Sequence, residues 1–382
     1  MGRIDRNRAI DALRGLSILV VMMSHGVVPI PYIIQATPWA SKAIVGNGVY
    51  GVSIFFVISG FLISSNVIKR FGLLKSVKID YFYTIRAARI LPCICLFIAI
   101  YFVLFLSKNP DFLPSPPSMF YDGVSSLFEL QYSTFYLTGG NRPGMYAFAP
   151  LWSLSVEETF YVFFPVVCFF LRSDKSIMCL AVIFVIMGPF MRPHFAQSLL
   201  FFGQIDLLSM GCIAAKVASK IHGVRALQRA ALPLIAFGVT VLAGCFCLTN
   251  TREDTQWALC IIGVATAAIL VGVSFDSMAL KAKNLISILL FPLGFLGRMS
   301  LQLYIFHIMI HMLLSPWMGV DLQFTLIVLA SWLLENLFLE PVNQKIRAFY
   351  WPRGAAGSVM AVKPPLESRN VPVAAALEAK QI

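Results

Sequence analysis

Residues 47–68 read NGVYGVSIFFVISGFLISSNVI, twenty-two residues without one charged side chain. As a helix rising 1.5 Å per residue this stretch is about 33 Å long, enough to cross the roughly 30 Å hydrocarbon core of a bilayer. Comparable apolar runs lie at 11–29, 90–106, 151–171, 177–191, 198–215, 230–248, 257–275, 298–315 and 322–339. The chain as a whole shares their character. Of its 382 residues 58% are apolar and only 13% are charged, and mean hydropathy is +0.80. Soluble domains carry roughly 25% charged residues. So few charges cannot clothe a soluble surface around this much apolar sequence, and the excess must face lipid. The expected fold is an all-α polytopic membrane protein with about ten transmembrane helices.

The basic residues orient it. With the N-terminus cytoplasmic, twenty-five of the thirty Lys and Arg residues fall in the N-terminal arm, alternate loops and the C-terminus; only Lys42, Lys108, Arg142, Arg192 and Arg252 fall outside. That bias is the positive-inside pattern. It places both termini in the cytoplasm and accounts for the net charge of +12 without nucleic acid. Three parts follow: a cytoplasmic arm over 1–10, a membrane domain over 11–350, and a Pro-, Gly- and Ala-containing tail over 351–382 that reads as disordered. The largest outer segment, 107–150, holds four prolines between 110 and 117 and an amphipathic piece near 120–135. The first apolar run lacks a small-residue cleavage site and is expected to stay as a span. The eight cysteines have no metal-ligand spacing and read as packing residues, so no metal is expected.

Ionisable side chains in hydrocarbon are costly and mark either function or a structural partner pair. Arg14 and His25 are eleven residues apart, which is within about 20° of three full helical turns. They share one face, about 16 Å apart along the axis. A guanidinium at the interface suits phosphate, and an imidazole at depth suits proton transfer. The alternative is a snorkelling arginine with a histidine bonded to a neighbouring helix. Asp206 and His307 sit at about 15 and 13 Å depth, counted from Lys216 and Arg298. Glu157 lies in the outer third of its span. An acid beside a histidine would orient the ring, as carboxylates do behind metal-bound histidines. His311, one turn after His307, reads as a helix neighbour.

Six motifs occur in order: Arg14 and His25 with ten residues between them; Gly51-Val52-Ser53-Ile54-Phe55-Phe56-Val57-Ile58-Ser59-Gly60-Phe61-Leu62; Arg86-Ala87-Ala88-Arg89-Ile90-Leu91-Pro92; Trp152-Ser153-Leu154 with Glu157, Phe160 and Tyr161; Ser300 with Tyr304 and His307; and Glu340-Pro341. From about Arg8 to Arg347 the chain resembles membrane acyltransferase family 3, bacterial inner-membrane enzymes that O-acylate, mostly O-acetylate, extracytoplasmic glycans. It departs from the family pattern at Leu301, where tyrosine is frequent, and at Gln204, where a basic residue often precedes the aspartate by two. No SGNH-type hydrolase domain follows the last span, so acyl hand-off is expected to finish in the membrane domain or pass to a separate partner.

The resemblance implies acetyl-CoA, or another acyl-CoA, as cytoplasmic donor and a cell-surface or lipid-linked carbohydrate as acceptor. It implies donor contacts at Arg14, Arg86 and Arg89, and a catalytic set of His25, Glu157, Asp206 and His307. Small residues such as Gly51 and Ser53 equally suit close helix approach. From a different class, a proton-coupled exporter of glycans or solutes would use His25, Asp206 and His307 as a relay, although no matching halves are present. A structural subunit of an export complex would explain the hydropathy but not the Arg14–His25 spacing. The charge bias is directly testable. Single cysteines at positions 108 and 252 of a cysteine-free variant are expected to react with an impermeant thiol reagent on intact cells, and one at position 225 only after lysis. Labelling of 225 in intact cells would reverse the orientation.

Overall fold

The computed structural model describes residues 7–30, 37–107, 145–148, 150–195, 200–221, 229–248, 255–275 and 290–350. Most of the outer segment, its amphipathic piece, the 351–382 tail, the first six residues of the arm and His222 lie outside the described residues. The helices are α1 (Arg8–Ser24), α2 (Pro38–Val45), α3 (Gly48–Phe71), α4 (Ile79–Leu106), α5 (Leu151–Leu171), α6 (Asp174–Phe195), α7 (Leu200–Ile221), α8 (Ala231–Leu248), α9 (Thr255–Phe275), α10 (Phe291–Arg298), α11 (Ser300–Leu314) and α12 (Val320–Leu333). A π-helical turn (Leu334–Leu339) then leads into α13 (Glu340–Tyr350). There is no strand among the described residues. Seven helical stretches are long and apolar enough to cross a membrane, and the bent α10–α11 pair makes an eighth. The protein is a multi-pass, all-helical membrane protein.

The count differs from the ten expected spans at α1 and α7. Both form helices, but α1 has only 17 residues and α7 carries Gln204, Asp206, Lys216 and Lys220. They sit inside the bundle, α1 against α3, α10 and α11, and α7 against α3, α6 and α9. Neighbouring helices replace lipid around their polar side chains.

Local chemistry sets the boundaries. Asn7 caps α1, its Oδ1 accepting the Ala9 N–H at 3.0 Å, while its Nδ2 donates to Val273 O at 3.1 Å. At the other end Gly26 adopts φ +71°. Its N–H bonds Met23 O, and that of Val27 bonds Met22 O at 3.0 Å. This Schellman closure needs a left-handed residue, which glycine supplies without strain. The helix therefore stops at Ser24 and not at 29, and His25 is its C-cap. Conversely α4 starts at Ile79 and not at 90, so Arg86 and Arg89 lie inside the helix and not before it. The expected span 298–315 is broken at Met299, where α10 and α11 bend by 77°.

Contacts along the helices give their relative directions. Asp174 pairs with Lys216 at one end of α6 and α7, and Arg192 bonds Gly203 O at the other, so they are antiparallel. On α5, Trp152 meets Phe56 and Glu157 meets Ser59, so α3 and α5 are parallel. These directions alternate as a chain threading back and forth requires.

Two glycines set how closely α1 and α10 approach. A Cβ on Gly15 would lie 1.9 Å from Leu293 O, and one on Gly297 would lie 1.8 Å from Asp11 O. Any side chain there must push the two backbones apart. Gly297→Val is expected to destabilise the detergent-solubilised protein by about 1–3 kcal/mol, the usual cost of overpacking. Gly294→Ala, with open space at its Cβ, is expected to leave the melting temperature unchanged or raised. Thermal unfolding followed by size-exclusion fluorescence reads both.

Candidate active site

The seam between α1 and α11 carries two cross-helix contacts. Near the N-terminal ends, Arg14 Nη2 donates to Ser300 Oγ at 2.7 Å. Near the other, His25 Nδ1 and His307 Nε2 are 3.1 Å apart, with ring centroids at 5.1 Å. The helices are therefore parallel, and the polar groups on each keep the order expected from their spacing. Ser300 opens α11 directly after the bend at Met299, so the bend is what places its hydroxyl beside α1.

His307 is wholly buried (0% exposed), whereas His25 is half-buried. The remaining nitrogen of His307, Nδ1, faces two carbonyl oxygens of its own helix, Leu303 at 3.0 Å and Tyr304 at 2.8 Å. One turn earlier Tyr304 is tied to α5, its hydroxyl accepting from Ser153 Oγ at 2.7 Å. One turn later His311 Nδ1 meets Gln323 Oε1 at 2.6 Å, and Gln323 Nε2 donates to Met318 O.

A second cluster joins α3, α4 and α5. Ser59 Oγ donates to Glu157 Oε1 and the Tyr161 hydroxyl to Glu157 Oε2, both at 2.7 Å. The Arg86 guanidinium lies 4.7 Å from the Tyr161 ring centroid and 5.7 Å from that of Phe82. Arg89 follows on α4, half-buried. Glu158 keeps one buried carboxylate oxygen without a hydrogen-bond partner. Arg86 and Glu157, expected at opposite ends of their spans, are thus brought to one place through Tyr161. The unseen start of α4 at Ile79 is the reason.

Asp206 departs from expectation. It is 0% exposed and forms an ion pair with Arg192 of α6, with Cys260 Sγ 3.6 Å from the same oxygen. Its hydrogen-bond partners are not histidines, so the acid–histidine pair and a relay through His25, Asp206 and His307 are not formed. Arg192, counted with the outer loops from its position near Pro193, is instead buried at 5% exposure. Gly188 leaves room for the carboxylate, since a Cβ there would lie 2.4 Å from Asp206 Cγ. Where Gln204 interrupts the expected basic position, a cation arrives from another helix. Gln302, which donates to Glu335 of the π-helical turn at 2.6 Å, was also not singled out by spacing. A carboxylate in the last apolar run was the available signal. Among the described residues no cluster of three or more His, Cys, Asp or Glu side chains could hold a metal ion.

Removing one partner of a buried ion pair strands the other, at about 3–5 kcal/mol. Arg192→Leu is expected to lose that much stability, and Arg192→Leu with Asp206→Leu to recover most of it. Detergent melting of the two single variants and the double variant measures the coupling.

A family model described as an acyltransferase domain matches residues 7–335. The O-acetyltransferase OatA of Staphylococcus aureus (strain NCTC 8325 / PS 47) is 25% identical over 320 residues, 78% of this chain and 49% of that protein. The peptidoglycan O-acetyltransferase OatA of Listeria monocytogenes serovar 1/2a is 27% identical over 330 residues, 81% of this chain and 50% of that protein. This chain spans about half the length of these relatives. No solved structure matches. The match takes in the α1–α11 seam, the Glu157 cluster and the Arg192–Asp206 pair alike, and on that extent the chain belongs to this acyltransferase family.

Proposed function

We propose that the protein is a membrane O-acyltransferase that moves an acyl group, acetyl in the first instance, from acyl-CoA to a hydroxyl of a cell-surface or lipid-linked glycan in the bacterial cytoplasmic membrane. The observation that carries this reading is the histidine pair held between α1 and α11, about 16 Å along α1 from Arg14. The glycan class is supported by the relative named as a peptidoglycan O-acetyltransferase. The cytoplasmic donor side is supported by the charge bias of the loops.

In this reading Arg14 holds donor phosphates at the inner boundary, with Arg86 and Arg89 flanking the path. The pantetheine arm then runs toward the paired imidazoles. His25 acts as general base, removing the acceptor hydroxyl proton as the oxygen attacks the thioester carbonyl. The C–S bond breaks, and the proton passes from His25 to the departing thiolate. Products are the glycan ester and CoA thiol, and His25 returns to its starting form. Burial between helices excludes water that would hydrolyse the thioester. Glu157, held by Ser59 and Tyr161, faces Arg86 as a fixed acceptor of hydrogen bonds and steadies the same region. Asp206, already neutralised by Arg192, supports the scaffold beside it.

Purified protein in proteoliposomes with labelled acetyl-CoA and a glycan acceptor is the test. Wild type is expected to transfer label. His25→Ala is expected to cut turnover by about 10²–10⁴ with donor KM within a few-fold. Arg14→Ala is expected to raise donor KM roughly ten- to a hundredfold, the worth of a charge-assisted phosphate contact, with a smaller effect on kcat. Normal turnover in His25→Ala, or loss of donor binding with the protein still folded, would remove the general base.

A further inference from the structure

The two nitrogens of His307 are not equivalent. Nδ1 faces only carbonyl oxygens, those of Leu303 and Tyr304. A carbonyl oxygen accepts and cannot donate, so Nδ1 must carry a hydrogen. His307 is wholly enclosed and has no carboxylate among its hydrogen-bond partners. A second hydrogen on Nε2 would make it an unpaired cation inside the membrane. In the neutral ring Nε2 therefore presents a lone pair. The atom facing it at 3.1 Å is His25 Nδ1. Two lone pairs at that distance repel, so His25 Nδ1 carries the bridging hydrogen and His25 Nε2 is bare.

From this we infer that His307 is a positioning residue that fixes His25 in the Nδ1–H tautomer, leaving Nε2 as the basic atom aimed at the acceptor hydroxyl. The inference rests on the acyltransferase reading and deepens it. An isolated imidazole prefers the opposite tautomer, with hydrogen on Nε2, which would present a donor where a base is needed. The partner here is a neutral imidazole, where serine hydrolases use a carboxylate to hold the corresponding ring. When His25 takes the hydroxyl proton, its Nδ1–H still points at the lone pair of His307, and the new charge is shared through one hydrogen bond without a permanent anion in the bilayer. The helix carbonyls of Leu303 and Tyr304 keep the His307 ring from turning over. Tyr304 is in turn clamped by Ser153, so the chain of orientation runs from α5 through α11 to α1.

Three proteins test this: wild type, His307→Gln and His307→Leu. The amide oxygen of glutamine can accept from His25 Nδ1–H, and leucine cannot. ¹⁵N-histidine spectra of protein in lipid bilayers, with His25→Ala used to assign the signals, report the tautomer directly. Wild type is expected to show His25 with Nδ1 protonated and Nε2 bare. His307→Leu is expected to switch the ring to Nε2–H and to lower kcat by about 10- to 100-fold with donor KM within a few-fold. His307→Gln is expected to restore the wild-type tautomer and a large part of kcat. Should His307→Leu fail to fold, the wild-type and His307→Gln spectra still decide. A bare Nδ1 in wild type, or a glutamine variant with the wrong tautomer, overturns the inference, as does a leucine variant with unchanged tautomer and rate. If no acyl transfer occurs in wild type, the acyltransferase reading fails while the tautomer assignment stands or falls separately on the spectra.

Discussion

Hydrocarbon offers no hydrogen-bond partner, so a polar side chain within this bundle gains by finding one in the protein. The simplest solution is local. The hydroxyls of Ser17, Ser53 and Ser155 return to carbonyls four residues earlier on their own helices. Other polar side chains reach across to a second helix. Arg14 reaches Ser300, Ser59 reaches Glu157, Ser153 reaches Tyr304, and Arg192 reaches Asp206. These ties bind α1 to α11, α3 to α5, α5 to α11, and α6 to α7. The apolar surfaces between them pack as well against lipid as against one another, so direction and register come largely from the polar ties and from close glycine contacts.

The ties fall into two kinds with different chemical consequences. Arg192 and Asp206 neutralise each other in a fully enclosed position, and neither has a proton to exchange without stranding the other charge. The pair suits a scaffold. In the tautomers inferred above, His25 and His307 carry no net charge and no counter-ion within their pair, so a proton could arrive and leave without breaking a salt link. Depth alone does not separate these cases, since Asp206 and His307 were expected at similar depth. Their partners do.

Much of this was legible in the sequence. Helix periodicity alone put Arg14 and His25 on one face, and the structure keeps them there, because an eleven-residue spacing depends only on helical geometry. The apolar runs marked where helices form. Boundaries were less legible: Gly26 held the signal for ending α1 at Ser24, but a hydropathy window averages over it. The extension of α4 back to Ile79 was hidden because Asp80, Arg86 and Arg89 look like loop residues in the sequence, and only the fold brings the Phe82 and Tyr161 rings beside Arg86. Arg192 was misplaced for the same reason. A basic residue beside prolines reads as outer loop, and only the fold discloses an aspartate waiting on the next helix. Partners across helices depend on packing, which a single sequence does not state.

The histidine pair is asymmetric in exposure as well as in hydrogen bonding, and the two asymmetries have one source. His307 lies in mid-helix on α11, where its carbonyl neighbours three and four residues earlier are within reach of its ring. His25 lies at the C-cap of α1, where the Gly26 turn ends the helix and leaves the ring half-buried. A mid-helix position supplies backbone acceptors and enclosure; a cap position supplies access. In the proposed reading the base needs both, because a fully enclosed ring cannot meet an acceptor hydroxyl and a freely exposed one has no fixed tautomer. Dividing the two requirements between neighbouring helices satisfies them together.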